Sequence, residues 1–384
     1  MINAQQNGLG VIRSIASSKY SLPIYAADHA RTAAFCSRHL SGKFVLPAVF
    51  DSGFIPQLVL IGERLAGQHG GKSLLCPVND EYVLLFSKHW EQLEPWFVPM
   101  FTTDTETLSS CVDKNRIYVL AEKAKIPFPR TALSLDEFLA NGYQFPAVIK
   151  PLVRRSPEAI KKGVFRIAFC DNETEARKPV SFLDEVNEGY VIQEYIDGED
   201  DQLYTAGIAS WHGQILATYS GRKIRQYPPS TGVAALAETV FAPKVVEYGE
   251  RILAVGDYSG IAQVEFKKSG DEYYLMEINP RPWMWNSLST ASGINLVESF
   301  LDHIFESPDS VMRTAADQKN GAMWMSVVND LIHNVIRNRK VGVWRWLSDL
   351  GRSRCKSYWT ISDPLPGITS TCSLIMKSVL RKFR

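Results

Sequence analysis

The chain has 384 residues, 45% hydrophobic and 22% charged, with 25 Gly and 20 Pro; this supports packed cores in two or three domains and excludes disorder and collagen-like repetition. With 42 Lys+Arg against 41 Asp+Glu the net charge is only +1, and no sustained basic block occurs in the first three hundred residues, which excludes a general nucleic-acid binder held by phosphate neutralisation. The charge is uneven, because residues 336–384 hold eleven Lys/Arg and two Asp/Glu, a local +9 that leaves the rest at −8.

The first residues, Met1 to Gln6, carry neither a basic nor an apolar signal region, and the longest apolar stretches are broken by Asp51, Glu63 or Lys88. A secretory signal or membrane span is therefore not expected. Six scattered cysteines without a C-x-x-C pair suggest reduced thiols in a cytoplasmic protein. Gly8-Leu9-Gly10 leading into Val11 to Ala16, then the strand-like Leu22 to Ala26, read as a small α/β layer. Two glycines are a weak dinucleotide fingerprint, and a tight turn with close packing is the simpler reading. The preceding strand, Met1 to Ala4, is unusually short, which suggests a truncated strand or a start that lies upstream.

A second unit opens near Cys111, where Asp113-Lys114-Asn115 precedes a helical stretch to Lys125 and the two prolines of Ile126-Pro127-Phe128-Pro129 stop it. Strand-like runs follow at 145–151, ending Lys150-Pro151, and at 190–196, ending before the turn pair Asp197-Gly198. A third unit extends to about Phe305, with β-runs at 203–210, 214–220 and 259–278. Beyond it, Met323 to Lys340 reads as helix, and the tail is rich in Trp and Arg.

Two β-type runs flank Gly270-Asp271, so residues 260–281 form a hairpin. With a three-residue loop, Gly270 to Glu272, counting outward sets Glu265 opposite Glu277 and Gln263 opposite Asn279, with Val264, Phe266, Met276 and Ile278 on the core side. Opposed carboxylates repel unless a cation bridges them, and two Glu with one Asn suit Mg²⁺ carrying a phosphate ligand. A two-residue loop would instead send Glu277 to the other face unless a bulge restored the register. The alternative is an ordinary solvated sheet face. Asn279-Pro280-Arg281 adds a rigid turn and a guanidinium able to reach a phosphate oxygen.

Lys114 before a helix, the Ile-Pro-Phe-Pro turn, Ala147 to Pro151, Val191 to Gly198, Glu265 and Glu277 to Arg281 together resemble the ATP-grasp superfamily, strongly over about residues 105–300. More narrowly the chain is similar to carbamoyl-phosphate-synthase-like members linked to bacterial surface-polymer or small-molecule ligation, whose tail carries an element like Asp363-Pro364-Leu365-Pro366. The resemblance implies α/β and α+β architecture: a pre-ATP-grasp domain (1–105), two grasp subdomains (106–190 and 191–305) and a helical, basic extension (306–384). It implies that Lys114 and Lys150 contact ATP phosphates, that the hinge Gln193, Glu194, Tyr195 and Ile196 binds adenine, and that Asp200 binds ribose. Glu265, Glu277 and Asn279 would hold Mg²⁺, or Mn²⁺ in its place, and Arg281 would stabilise the transferred phosphoryl group.

Where many members carry a glycine-rich lid, this chain has Val153 to Gly163 with Arg154, Arg155, Lys161 and Lys162, a candidate lid or a solvated basic loop. Residues 222–232 are expected as a flexible loop between nucleotide and acceptor, with Arg225 and Arg222 as candidate anion ligands; charge pairs on a sheet edge are the alternative. Trp283-Met284-Trp285 either lines the acceptor pocket or packs beneath the hairpin. The implied activity is ATP- and Mg²⁺-dependent carboxylate–amine ligation through an acylphosphate, against a kinase or a non-catalytic nucleotide-binding scaffold. Expected partners are a small-molecule carboxylate and amine, with no nucleic acid, and a homodimer is allowed. The basic tail, Leu374 to Arg384, reads either as an amphipathic segment resting on the inner membrane surface or as a helix packed on the body through Leu380 and Phe383.

Overall fold

The structure, a computed structural model, describes residues 1–152, 161–229, 232–306 and 311–380. In the N-terminal region two parallel strand pairs form, β1 (Tyr25–Asp28) with β2 (Gly42–Val45) and β3 (Ser73–Leu75) with β4 (Phe97–Pro99). Ile2 joins them by single parallel bridges to Ala27 and Pro77. The expected first strand is thus one bridging residue, and an apolar cavity of about 320 Å³ lies beside it, between the facing edges of β1 and β3. The glycines form no turn: the helix Gln6–Ala16 already contains Gly8 and Gly10. Their use is close packing, since a Cβ on Gly10 would meet the Asn286 side chain at 2.6 Å.

Short antiparallel strands β5 (Thr131–Ala132), β6 (Ala147–Pro151), β7 (Ala168–Cys170) and β8 (Tyr190–Glu194) make a four-stranded sheet in the order β5-β8-β6-β7. Its β6 and β8 are apolar runs that bury Ala147, Ile149 and Ile192 against the helices Leu135–Ala140 and Glu173–Glu185.

The larger sheet contains β9 (Leu203–Trp211), β10 (Gln214–Tyr227), β11 (Val233–Thr239), β12 (Gly260–Ser269), β13 (Glu272–Asn279), β14 (Met323–Met325) and β15 (Cys355–Lys356), in the order β13-β12-β9-β10-β11-β14-β15. Period-two alternation sorts its side chains. Ala206, Ile208, Val264, Phe266 and Ile278 face the helix Pro243–Val255, whereas Ala209, Ala217, Tyr219 and Ile261 join Trp283, Trp285 and Phe300 on the other face.

Two expectations fail here for one reason. The segment expected as a loop at 222–232 is strand as far as Tyr227, and Met323–Met325, expected as helix, pairs with β11. Basic and aromatic residues gave each segment polar or helical character in isolation, but a neighbouring strand edge supplies backbone hydrogen bonds that local propensity does not register. The C-terminal extension is accordingly part of the sheet. Beyond β14 it turns mainly helical, with the short helix Val327–Asp330, a π-helical stretch at Leu331–Arg337 and then the helix Val343–Arg352.

Candidate nucleotide- and metal-binding site

The hairpin loop has two residues, because Ser269 pairs with Glu272. Met276 is then an extra residue: Phe266 pairs with Leu275, yet Glu265 pairs with Glu277 and Gln263 with Asn279. The expected three-residue loop is therefore wrong and the expected pairing is right, because the bulge restores the face that a two-residue loop would reverse. The bulge also moves Met276 to the cleft wall, and Leu275 takes the core position expected for it.

Glu265, only 7% exposed, accepts from Lys223 Nζ at 2.9 and 3.1 Å and from Gln263 Nε2 at 2.8 Å. Burial pushes its carboxyl pKa up and the Glu277 charge adds to that, while the Lys223 ammonium opposes both. Asn279 donates to Glu277 Oε1 at 3.0 Å and to Gln263 Oε1 at 3.2 Å, and its own oxygen accepts from Arg281 at 2.9 Å. Arg281 also reaches Asp80 Oδ2 at 3.1 Å, which ties the N-terminal domain to the end of the hairpin. Burial lowers the guanidinium pKa, and the Glu277 and Glu265 charges partly restore it.

Opposite this carboxylate row, Lys150 extends from the end of β6. Its ammonium donates to Gln193 Oε1 at 2.7 Å, and the Gln193 amide nitrogen donates to the Tyr118 hydroxyl and to Thr131 Oγ1 at 2.9 Å. Gln193 is 0% exposed. Its side chain holds Lys150. Burial brings the Lys150 pKa down to about 8; the Lys114, Lys267 and Arg166 charges add to the fall and Glu277 opposes it. Lys114 donates to the Pro151 carbonyl, and its pKa is lowered by burial against the pull of Glu277. A cleft of about 570 Å³ between the two sheets is lined by Lys114, Lys150, Lys223, Glu265, Glu277 and Arg281, with Arg166, Gln263 and Asn279 also on its wall.

Farther along the hinge, Glu194 Oε1 accepts from the Gln144 N–H at 2.8 Å, and Tyr195 stacks under Lys267, whose ammonium is 4.5 Å from the ring centre. Ile196 is half-buried just past the strand end. The Asp200 carboxylate accepts from the Gln226 backbone at 3.1 Å and from its side chain at 2.8 Å, so it fastens β10.

Arg222 and Arg225, expected as anion ligands, are absent from the cleft wall. Arg222 pairs with Glu238 at 2.6 Å on the far face of the sheet. Arg225 is clamped by Asp330 at 2.6 Å and Asp349 at 2.7 Å, both side chains wholly buried; burial alone would lower its pKa, but the two carboxylates outweigh burial and raise it. Alternation turns Lys223 to the cleft and its neighbour Arg222 away, while register shifts on either side of Arg225 take that residue off the face that alternation alone would give it. Had 222–227 been recognised as strand, Lys223 would have stood out as the residue on the opposite face from Arg222. Residues 153–160 of the expected lid lie outside the described residues; Lys162 donates to the Val186 carbonyl at 3.0 Å.

The expected acceptor wall serves both readings. Trp283 and Trp285 are each 2% exposed within the core and also border the cleft. Trp283 lies so close to Gly207 that a Cβ there would come within 2.2 Å of the ring.

Among the described residues no group of three His, Cys, Asp or Glu comes together, so the expected Mg²⁺ rests on two Glu and one Asn amide oxygen. That all-oxygen set, directly opposed on one face and already carrying the Lys223 ammonium on one carboxylate, suits a hard dication whose remaining ligands are phosphate oxygens and water.

No protein-family model matches the chain. It is 23% identical over 307 residues to a D-aspartate ligase of Enterococcus faecium, covering 72% of this chain and 70% of the relative. Among solved structures it is similar to the biotin carboxylase domain of Hydrogenobacter thermophilus 2-oxoglutarate carboxylase in complex with MgADP and bicarbonate, with a TM-score of 0.60 and 13% identity over 84% of this chain and 72% of that one. An L-amino acid ligase from Bacillus licheniformis gives a TM-score of 0.57 and 14% identity over 84% and 77%. The chain has the ATP-grasp fold. Two sheets closing on one cleft, with lysines on the smaller and opposed carboxylates on the larger, are the ATP-grasp fold in this chain.

Proposed function

We propose that this ATP-grasp chain is an ADP-forming carboxylate–amine ligase. The observation that carries the proposal is the Glu265–Glu277 pair with Asn279 and Arg281, facing Lys114 and Lys150 across one cleft. Lys114 and Lys150 bind the ATP phosphates, and Lys223 and Arg281 stand where negative charge must be neutralised near the transferred group. Glu265, Glu277 and Asn279 would hold Mg²⁺, which when bound would supply charge neutralisation for the phosphates. The backbone of Glu194 and Ile196 meets the adenine edge, Tyr195 lies beside it, and Asp200 meets the ribose.

A substrate carboxylate oxygen bonds to the γ-phosphorus as the bond to the β-phosphate bridging oxygen breaks, giving ADP and an acylphosphate. An amine then attacks the acyl carbon; inorganic phosphate leaves with an oxygen from the acid, and the amine loses a proton. Such chemistry asks for positioned charge and no nucleophilic side chain. Buried Cys111, its thiol pKa pushed up to about 12 by burial, fits packing. The D-aspartate ligase and L-amino acid ligase similarities support an amino acid or a comparable small amine as one substrate.

The test is ADP release with Mg²⁺ across panels of carboxylates and amines. The ligase reading expects ADP only when one acid and one amine are both present, with an amide of the summed mass less water. ADP formed with a hydroxyl compound alone, with a phosphate ester as product, overturns it in favour of a kinase.

A further inference from the structure

The surface feature with no place in this chemistry is the helix Val343–Arg352. Its inner side is anchored: Trp346 packs with Leu236, Met323 and Met325 of the large sheet, and wholly buried Asp349 holds Arg225. Its outer side is apolar and uncovered, with Val343 56%, Trp344 85% and Leu347 44% exposed. These positions are neighbours on one helical face. Immediately upstream, Arg337, Arg339 and Lys340 are exposed, and among the described residues none of them is ion-paired.

We propose that this face docks on an anionic lipid bilayer. A tryptophan standing out of a helix beside unneutralised cations matches a headgroup boundary, where the indole ring enters the interface and the cations meet lipid phosphates. Charge complementarity selects that occupant over a second copy, because symmetric pairing through this face would bring two unneutralised cation groups together. The body's excess of negative charge orients the same face toward the surface. Contact is peripheral, since among the described residues no helix is long and apolar enough to cross a membrane. The surface differs from the expected one: the helix Leu365–Leu380 packs on the N-terminal domain, with Thr369 bonded to Cys36, and residues 381–384 lie outside the described residues.

The experiment is co-sedimentation of the full chain with vesicles of phosphatidylcholine mixed with phosphatidylglycerol, against phosphatidylcholine alone, at low and high salt. Binding is expected only to the anionic vesicles, weakened by salt, and reduced about tenfold by the double substitution Trp344→Ser, Leu347→Ser. The triple substitution Arg337→Gln, Arg339→Gln, Lys340→Gln should remove most of the salt-sensitive part while the melting temperature stays unchanged. Equal binding by the double variant overturns the proposal, as does binding to neither vesicle. A concentration-dependent dimer in light scattering that the Trp344→Ser, Leu347→Ser substitutions abolish also overturns it, in favour of self-association.

Discussion

At the scale of single residues, the site depends on groups held away from their solution behaviour. Lys150 is buried, and its pKa of about 8 places its titration just above neutrality. A neutral amine cannot pair with phosphate, so apparent ATP affinity should fall as pH rises through about 8, and ATP binding near that pH should be accompanied by proton uptake. Calorimetry in buffers of different ionisation enthalpy measures both; affinity that stays flat from below to above that pH would contradict the assignment. The sign for stability is opposite: the unfolded lysine binds its proton more tightly, so this group adds stability as pH rises from about 8 toward its unfolded pKa. Glu277→Gln keeps the shape but removes one carboxylate of the opposed pair. It should lower kcat/KM by about a hundredfold or more with little change in melting temperature, and raise the Mg²⁺ concentration needed for half-maximal rate. Unchanged turnover would remove Glu277 from the metal.

At the scale of elements, a two-residue loop and a one-residue bulge compensate each other to set the ligand row. Deleting Met276 removes the bulge and sets Glu277 directly after Leu275, where regular pairing keeps it opposite Glu265 on the cleft face, so ADP formation should survive. Because β13 is an edge strand, most of the sheet should survive, which far-UV circular dichroism would check. Lost activity with an intact sheet would mean that the bulge itself, and not the Glu265–Glu277 pairing alone, shapes the site. The turn pair, the alternation and the Glu–x–Asn–x–Arg order were legible in the sequence, so the hairpin and its ligand row could be anticipated. The bulge was not, because a two-residue loop with a bulge and a three-residue loop give the same Glu265–Glu277 pairing. Lys223 was missed and Arg222 favoured for a related reason: facing on a strand is legible only once the segment is known to be a strand, and Arg225 leaves the Lys223 face through a register shift that alternation does not foretell. Gln193 lay in the right segment, but its side-chain role depends on Tyr118 and Thr131, distant in sequence and close only in the fold.

At the scale of the whole molecule, the basic extension is bound into the body by buried ion pairs. Arg225 joins the large sheet to Asp330 and Asp349, and Asp363 of the Asp-Pro-Leu-Pro element accepts from Arg13 at 3.3 Å, Ser37 Oγ at 2.8 Å and the Arg38 N–H at 2.9 Å. Arg225→Ala leaves buried Asp330 without an ion partner and Asp349 with Arg345 alone, and should cost about 3 kcal/mol in urea unfolding, with KM for substrates nearly unchanged in the folded fraction. A raised KM at unchanged stability would restore Arg225 as a substrate ligand. The near-neutral total charge thus conceals two oppositely charged parts that share one sheet. The central claim is that this shared scaffold activates an acid by phosphorylation. With the acid and amine that release ADP, the acid is supplied with both carboxylate oxygens as ¹⁸O, and the phosphate is analysed by mass spectrometry. The account predicts one ¹⁸O in each phosphate formed; phosphate without ¹⁸O would contradict it.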